Sequence, residues 1–148
     1  MTAAATRAPW KTAATLLARL IFAALFIMAA AFKFSNIEGT AAFIAAAGFP
    51  ASLFLAWCAA LFECLLILGF LTGAFFTETA LLAAVYVLFL AFSFHGPGRW
   101  AGNQAEFGFF VDHFTFIAGL LFAAVHGPGR VLALRFGLIG RGDEEQTA

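Results

Sequence analysis

The sequence predicts an all-α membrane protein, a four-transmembrane-helix bundle with a short interfacial helix between spans one and two. Three observations carry that prediction. Of 148 residues, 64% are hydrophobic and only 11% are charged, whereas a soluble domain carries roughly 25% charged residues. The mean hydropathy is +0.97. The apolar residues fall into four runs of about 20 residues, the length that crosses a bilayer as a helix, and Gly- and Pro-containing segments separate them. The formal net charge is +0, so no basic excess is present to neutralise phosphates, and nucleic acid is excluded as a partner. Four spans with short connections leave no length for a second globular domain.

Span one is read at residues 12–34, apolar apart from Arg19 and Lys33 and preceded by Arg7, Pro9, Trp10 and Lys11. Its inner part, residues 20–28, has the character of a signal-peptide core, and Ala29-Ala30-Ala31 offers small residues for cleavage. That alternative stays open, although the length of the whole apolar stretch and the position of Arg19 weigh against it. A short helix over residues 41–47 ends at Gly48, and Pro50 opens the next span. The almost unbroken apolar run over 51–94 is too long for one crossing. It divides at Gly-Phe-Leu-Thr-Gly, residues 69–73, into span two at 51–70 and span three at 74–95, antiparallel neighbours across a tight turn. Span four is placed at 107–126, followed by a tail at 127–148. His-Gly-Pro-Gly-Arg occurs at 95–99 and again at 126–130, where Pro and Gly terminate helices.

With four spans both termini share one side. Arg7, Lys11, Arg130, Arg135 and Arg141 then face Lys33 and Arg99 on the other side, and the positive-inside rule puts both termini in the cytoplasm.

Ionisable residues inside a span cost several kcal/mol unless paired or hydrated, so each is a functional hypothesis. Arg19 and Glu63 each lie seven residues from the same membrane face, roughly 10 Å deep, and are expected to pair across neighbouring helices. Lys33, His95, Asp112 and His113 are expected to form a second group near the outer face. Asp112 shares a helix face with Thr115 and Gly119 and is expected to point at other helices; the facing of His113 stays open. Such a pocket suits the carbonyls of a quinone head group, with imidazoles and a carboxylate exchanging protons near neutral pH. Snorkelling of Lys33 and His95 to water is the competing explanation. Haem is disfavoured because only His95 and His113 come near a matched pair of axial ligands. Cys58 and Cys64 fit neither a redox nor a zinc pattern and are read as packing residues, so no metal is expected.

The chain resembles the DoxX family of small four-span membrane proteins. The resemblance rests on Leu17-Ala18-Arg19-Leu20, Phe32-Lys33-Phe34, Ala47-Gly48-Phe49-Pro50, Leu61-Phe62-Glu63, the glycines of 69–73, His95 and Gly127-Pro128-Gly129-Arg130, and extends over residues 16–130. It implies a bundle in the bacterial inner membrane. It also implies an accessory place in quinone-linked complexes, since the family takes its name from a subunit of a terminal quinol oxidase that also belongs to a thiosulfate:quinone oxidoreductase, and some members resemble parts of complexes that respond to oxidative stress. Two readings compete with that one: a non-enzymatic scaffold that recruits other proteins, and a solute or proton pathway that would require self-association.

Overall fold

The computed structural model describes residues 9–139 and is entirely helical in its regular structure: α1 Pro9–Ser35, α2 Ile37–Ala46, α3 Ser52–Thr72, α4 Phe76–His95, a single 3-10 turn at Pro97–Arg99, and α5 Gln104–His126. Helices α1, α3, α4 and α5 are each long and apolar enough to cross a membrane. The four expected spans are therefore present, with limits shifted by a few residues, and α2 is the expected short helix between the first two. Arg7, Arg141 and the acidic run at 143–145 lie outside the described residues.

Local sequence explains where the helices begin and end. Asn36 caps α2 by accepting from the Gly39 N–H at 2.8 Å, and Asn103 caps α5 by accepting from the Glu106 N–H, each satisfying a donor that the first turn leaves unpaired. Helix α3 ends at Gly73, which adopts φ +71°. A side chain there would meet Ala133 and Pro128 at about van der Waals contact or closer, so this turn requires glycine for both its backbone angle and its neighbours.

Small residues set the helix packing. Ala23, Ala56, Ala60, Ala80, Ala83 and Ala91 are fully buried and allow backbones to approach closely, the usual basis of helix association in a membrane. The most extensive helix pairings are α4 with α5 and α1 with α3, while α2 lies on α3. Where α3 nears α4 at the turn, a Cβ on Gly69 would fall 2.1 Å from Thr79 Oγ1. Between α1 and α5 the contact is different. Their Cα atoms stay more than 8 Å apart, and the rings of Phe22 and Phe26 span the gap to Phe116 at centroid separations of 5.5 and 5.7 Å. Many large apolar side chains, Leu17, Phe32, Leu65 and Phe122 among them, are exposed on the outside of the bundle, as suits a hydrocarbon surround.

Residues 127–139 do not leave the bundle as a free tail. They run back beneath the α3–α4 turn as a strap: the Leu134 N–H donates to the Thr72 carbonyl, and the Phe75 N–H donates to the Phe136 carbonyl. The end of the bundle where α1 begins and α5 stops, closed by this strap, is called the terminal end below.

Candidate functional site

On α3, residues Ala56, Ala60, Glu63, Leu66 and Phe70 form a buried stripe whose spacing of three and four residues is that of one helix face. Glu63 is the acidic member, with a side chain only 1% exposed. Its Oε1 accepts from Lys33 Nζ at 2.7 Å and from the Tyr86 hydroxyl at 2.9 Å. Its Oε2 is buried and has no hydrogen-bond partner among the described residues. Helices α1, α3 and α4 thus each contribute one polar group to a single cluster.

That geometry corrects the expected Arg19–Glu63 pair. Arg19 instead donates to five backbone carbonyls: Phe70 and Leu71 at the end of α3, and Pro128, Val131 and Leu132 on the strap, at 2.8 to 3.1 Å. All five guanidinium N–H groups can be engaged this way. The physical reason is side-chain direction. Side chains on a helix lean toward its N-terminus, so Arg19 on α1 leans to the terminal end. Glu63 on the antiparallel α3 leans the opposite way, toward Lys33, which leans back to meet it. Similar Cα depth, the basis of the expectation, ignores this divergence.

The expected outer group of Lys33, His95, Asp112 and His113 is also not assembled as one pocket. Lys33 belongs to the Glu63 cluster. The His95 and His113 rings do come together, with centroids 5.1 Å apart, and His113 Nδ1 donates to the Phe109 carbonyl of its own helix. His95 Nδ1 lies 2.7 Å from Glu106 Oε2, and its carbonyl accepts from Trp100 Nε1. Asp112 is exposed and makes no hydrogen bond or ion pair among the described residues. It lies on the side of α5 that faces α1, but the phenylalanine rings hold those helices apart, and no polar group of α1 reaches it. Cys58 and Cys64 are free thiols. Among the described residues no three His, Cys, Asp or Glu side chains converge as a metal site would require.

Three participants were missed in the sequence. Tyr86 is the single tyrosine in a chain with 21 phenylalanines, and a hydroxyl within an apolar span must find a partner; that signal was available. Glu106 sits seven residues before His113, two turns along one face, but lies one residue outside the expected span at 107–126. Glu78 accepts from the backbone N–H groups of Leu138 and Ile139, which no local pattern announces.

Beside the Glu63 cluster lies a cavity of about 550 Å³, within the size range of small-molecule sites. Ile44 of α2 and the following Phe49 cover it, Leu55 and Phe62 of α3 wall one side, and Phe89 and Phe94 of α4 wall the other. Exposed Cys58 and Phe89 stand at its rim. Lys33, Tyr86 and Cys58 are the lining residues that carry polar groups, and the lining surface itself is almost entirely apolar. The cavity can therefore accept an apolar body, with the Lys33–Glu63–Tyr86 cluster next to it.

A bundle of four membrane-spanning helices, with a buried ion pair and a cavity between spans, defines a small multi-pass membrane protein. The DoxX family model matches residues 14–96, more than half of the chain, and the chain belongs to the DoxX family. The match is narrower than the resemblance at 16–130. It takes in Arg19, Lys33, Glu63, Tyr86 and His95, whereas α5 and the strap lie beyond it. No curated protein and no solved structure matches the chain.

Proposed function

We propose that the protein is a non-catalytic, quinone-binding accessory subunit of a redox or oxidative-stress complex in the bacterial inner membrane, with both termini in the cytoplasm. The observation that carries this reading is the cavity, apolar and aromatic along its walls, with Lys33 and Tyr86 at the end nearest Glu63. A quinone head group has two carbonyls that need donors and a ring that packs on aromatic faces. Lys33 Nζ has three N–H donors and uses one on Glu63 and another, at 3.5 Å, on the Ala29 carbonyl, leaving one donor for a quinone carbonyl. The Tyr86 hydroxyl donates to Glu63 and keeps lone pairs that can accept from a quinol O–H. Both redox forms therefore find complementary groups, and an isoprenoid chain can leave past Phe89 into the bilayer. The basic residues at the terminal end support the proposed orientation.

The test is a titration of the nanodisc-embedded protein with a short-chain quinone analogue, followed by quenching of Trp57, which lies beside Cys58. Filling the cavity by Ala59→Trp is expected to abolish saturable binding, and Tyr86→Phe to weaken it by about tenfold, the scale of one hydrogen bond in an apolar site. Saturable binding that survives Ala59→Trp rejects the cavity as the site.

The alternative reading, a scaffold that recruits other membrane proteins, is supported by α5, where only Leu120 and Ala124 are fully buried and Asp112 is exposed. It predicts no saturable quinone binding to the wild type.

A further inference from the structure

The strap has an unusual division between backbone and side chains. Several of its backbone polar groups are held by the bundle: the carbonyls of Pro128, Val131 and Leu132 by Arg19, the Leu134 N–H and Phe136 carbonyl by the α3–α4 turn, and the Leu138 and Ile139 N–H groups by Glu78. Apart from Arg130 and Arg135 its larger side chains are apolar and turned outward, with Leu132 77% and Leu138 79% exposed, and Leu134, Phe136 and Ile139 more than half exposed. A segment anchored to the bundle in this way, with its hydrocarbon turned outward, is suited to the membrane interface, where its other peptide groups can reach water while the apolar side chains enter the acyl boundary. Basic side chains border the same surface. Gly129 packs on Thr15, a Cβ there falling 3.0 Å from Thr15 Cγ2, so exposed Arg130 stands beside the first turns of α1. One turn earlier on α1 is exposed Lys11, next to exposed Trp10, an aromatic of the kind that settles at head-group level.

We propose that Lys11, Arg130 and the outward face of the strap form a binding site for an anionic phospholipid of the leaflet at the terminal end. The two cations flank the head-group phosphate, and the apolar strap side chains lie among the acyl chains. Positive charge favours an anionic over a zwitterionic lipid, and the exposed leucines favour a lipid over a free phosphate or an acidic soluble protein.

Two measurements on the full chain test it. In the first, protein purified in detergent is equilibrated with phosphatidylglycerol and phosphatidylcholine, and the retained lipid is counted by native mass spectrometry. Wild type is expected to retain phosphatidylglycerol preferentially; Lys11→Gln with Arg130→Gln is expected to lower that retention by about tenfold or more, the scale of two basic groups at an anionic surface. Arg99→Gln, at the opposite end of the bundle, leaves it unchanged. Equal retention of the two lipids, or a double variant that retains as much phosphatidylglycerol as wild type, overturns the proposal. In the second, Leu138→Cys in a Cys58→Ser, Cys64→Ser background carries a spin label in nanodiscs. Collision with oxygen exceeding collision with a water-soluble nickel chelate supports an interfacial strap. The reverse order, or protection from both relaxants as under a second protein surface, overturns it.

Discussion

Lys33 and Glu63 share an ion pair but not an environment, and this difference makes a mutational prediction with a definite order. The Lys33 side chain is 19% exposed, that of Glu63 1%. Lys33→Met leaves a buried carboxylate with only the Tyr86 hydroxyl, and removing one partner of a buried pair costs about 3–5 kcal/mol. Glu63→Gln keeps an oxygen that accepts from Tyr86, and it leaves an ammonium near a helix end that can extend to water; the expected loss is about 1–2 kcal/mol, the scale of a weakened charged hydrogen bond. The double change strands neither charge and is expected to resemble Glu63→Gln alone. Reversible unfolding in mixed detergent micelles, followed by tryptophan fluorescence, measures all three. A gap of about 1.4 kcal/mol is a tenfold change in the unfolding equilibrium, well within such an assay. Two results refute the reasoning: Glu63→Gln at least as damaging as Lys33→Met, or a double variant whose loss equals the sum of the singles.

Arg19→Lys retains the charge but supplies three donors where five carbonyls are engaged, so it is expected to destabilise by about 3 kcal/mol and to open the strap to limited proteolysis near residue 132. An uncleaved strap in the folded variant contradicts that role. Gly69→Ala drives a methyl into Thr79 and is expected to cost about 1–3 kcal/mol; Thr79→Ala in the same chain recovers part of that loss, as thermal unfolding in detergent shows. Asp112→Asn touches no partner and is expected to stay within about 0.5 kcal/mol of wild type in the same assay, whereas a large loss means that Asp112 is engaged by a group outside the described residues.

Periodicity and length were sufficient for the helices, because a span in a bilayer must satisfy its own backbone and so announces itself as one continuous apolar run. The same reasoning found the buried ionic residues but not their partners. Arg19 and Glu63 are close in Cα depth, yet their side chains lean in opposite directions along antiparallel helices, which only the three-dimensional arrangement makes plain. Lys33 and Glu63 lie 30 residues apart, and Tyr86 a further 23 beyond Glu63, so their meeting is set by packing rather than by local spacing. The strap is harder still to read: its contacts are made through backbone carbonyls and N–H groups, to which residue identity contributes little. Asp112 lies on the expected side of α5 but meets no partner among the described residues: small neighbours such as Gly119 suggest a close helix crossing, whereas the ring of Phe22 fills that space, its Cζ 3.3 Å from where a Cβ would lie.

The proposed quinone site is tested most directly by photolabelling. The nanodisc-embedded protein is illuminated with an azido-quinone, and the adducts are located by peptide mass spectrometry, with unmodified quinone as competitor. The account predicts competed label on the peptides carrying Cys58 to Phe62 of α3 and Phe89 to Phe94 of α4. Label spread along the outer faces of α1 and α5, or label that excess quinone does not displace, contradicts it.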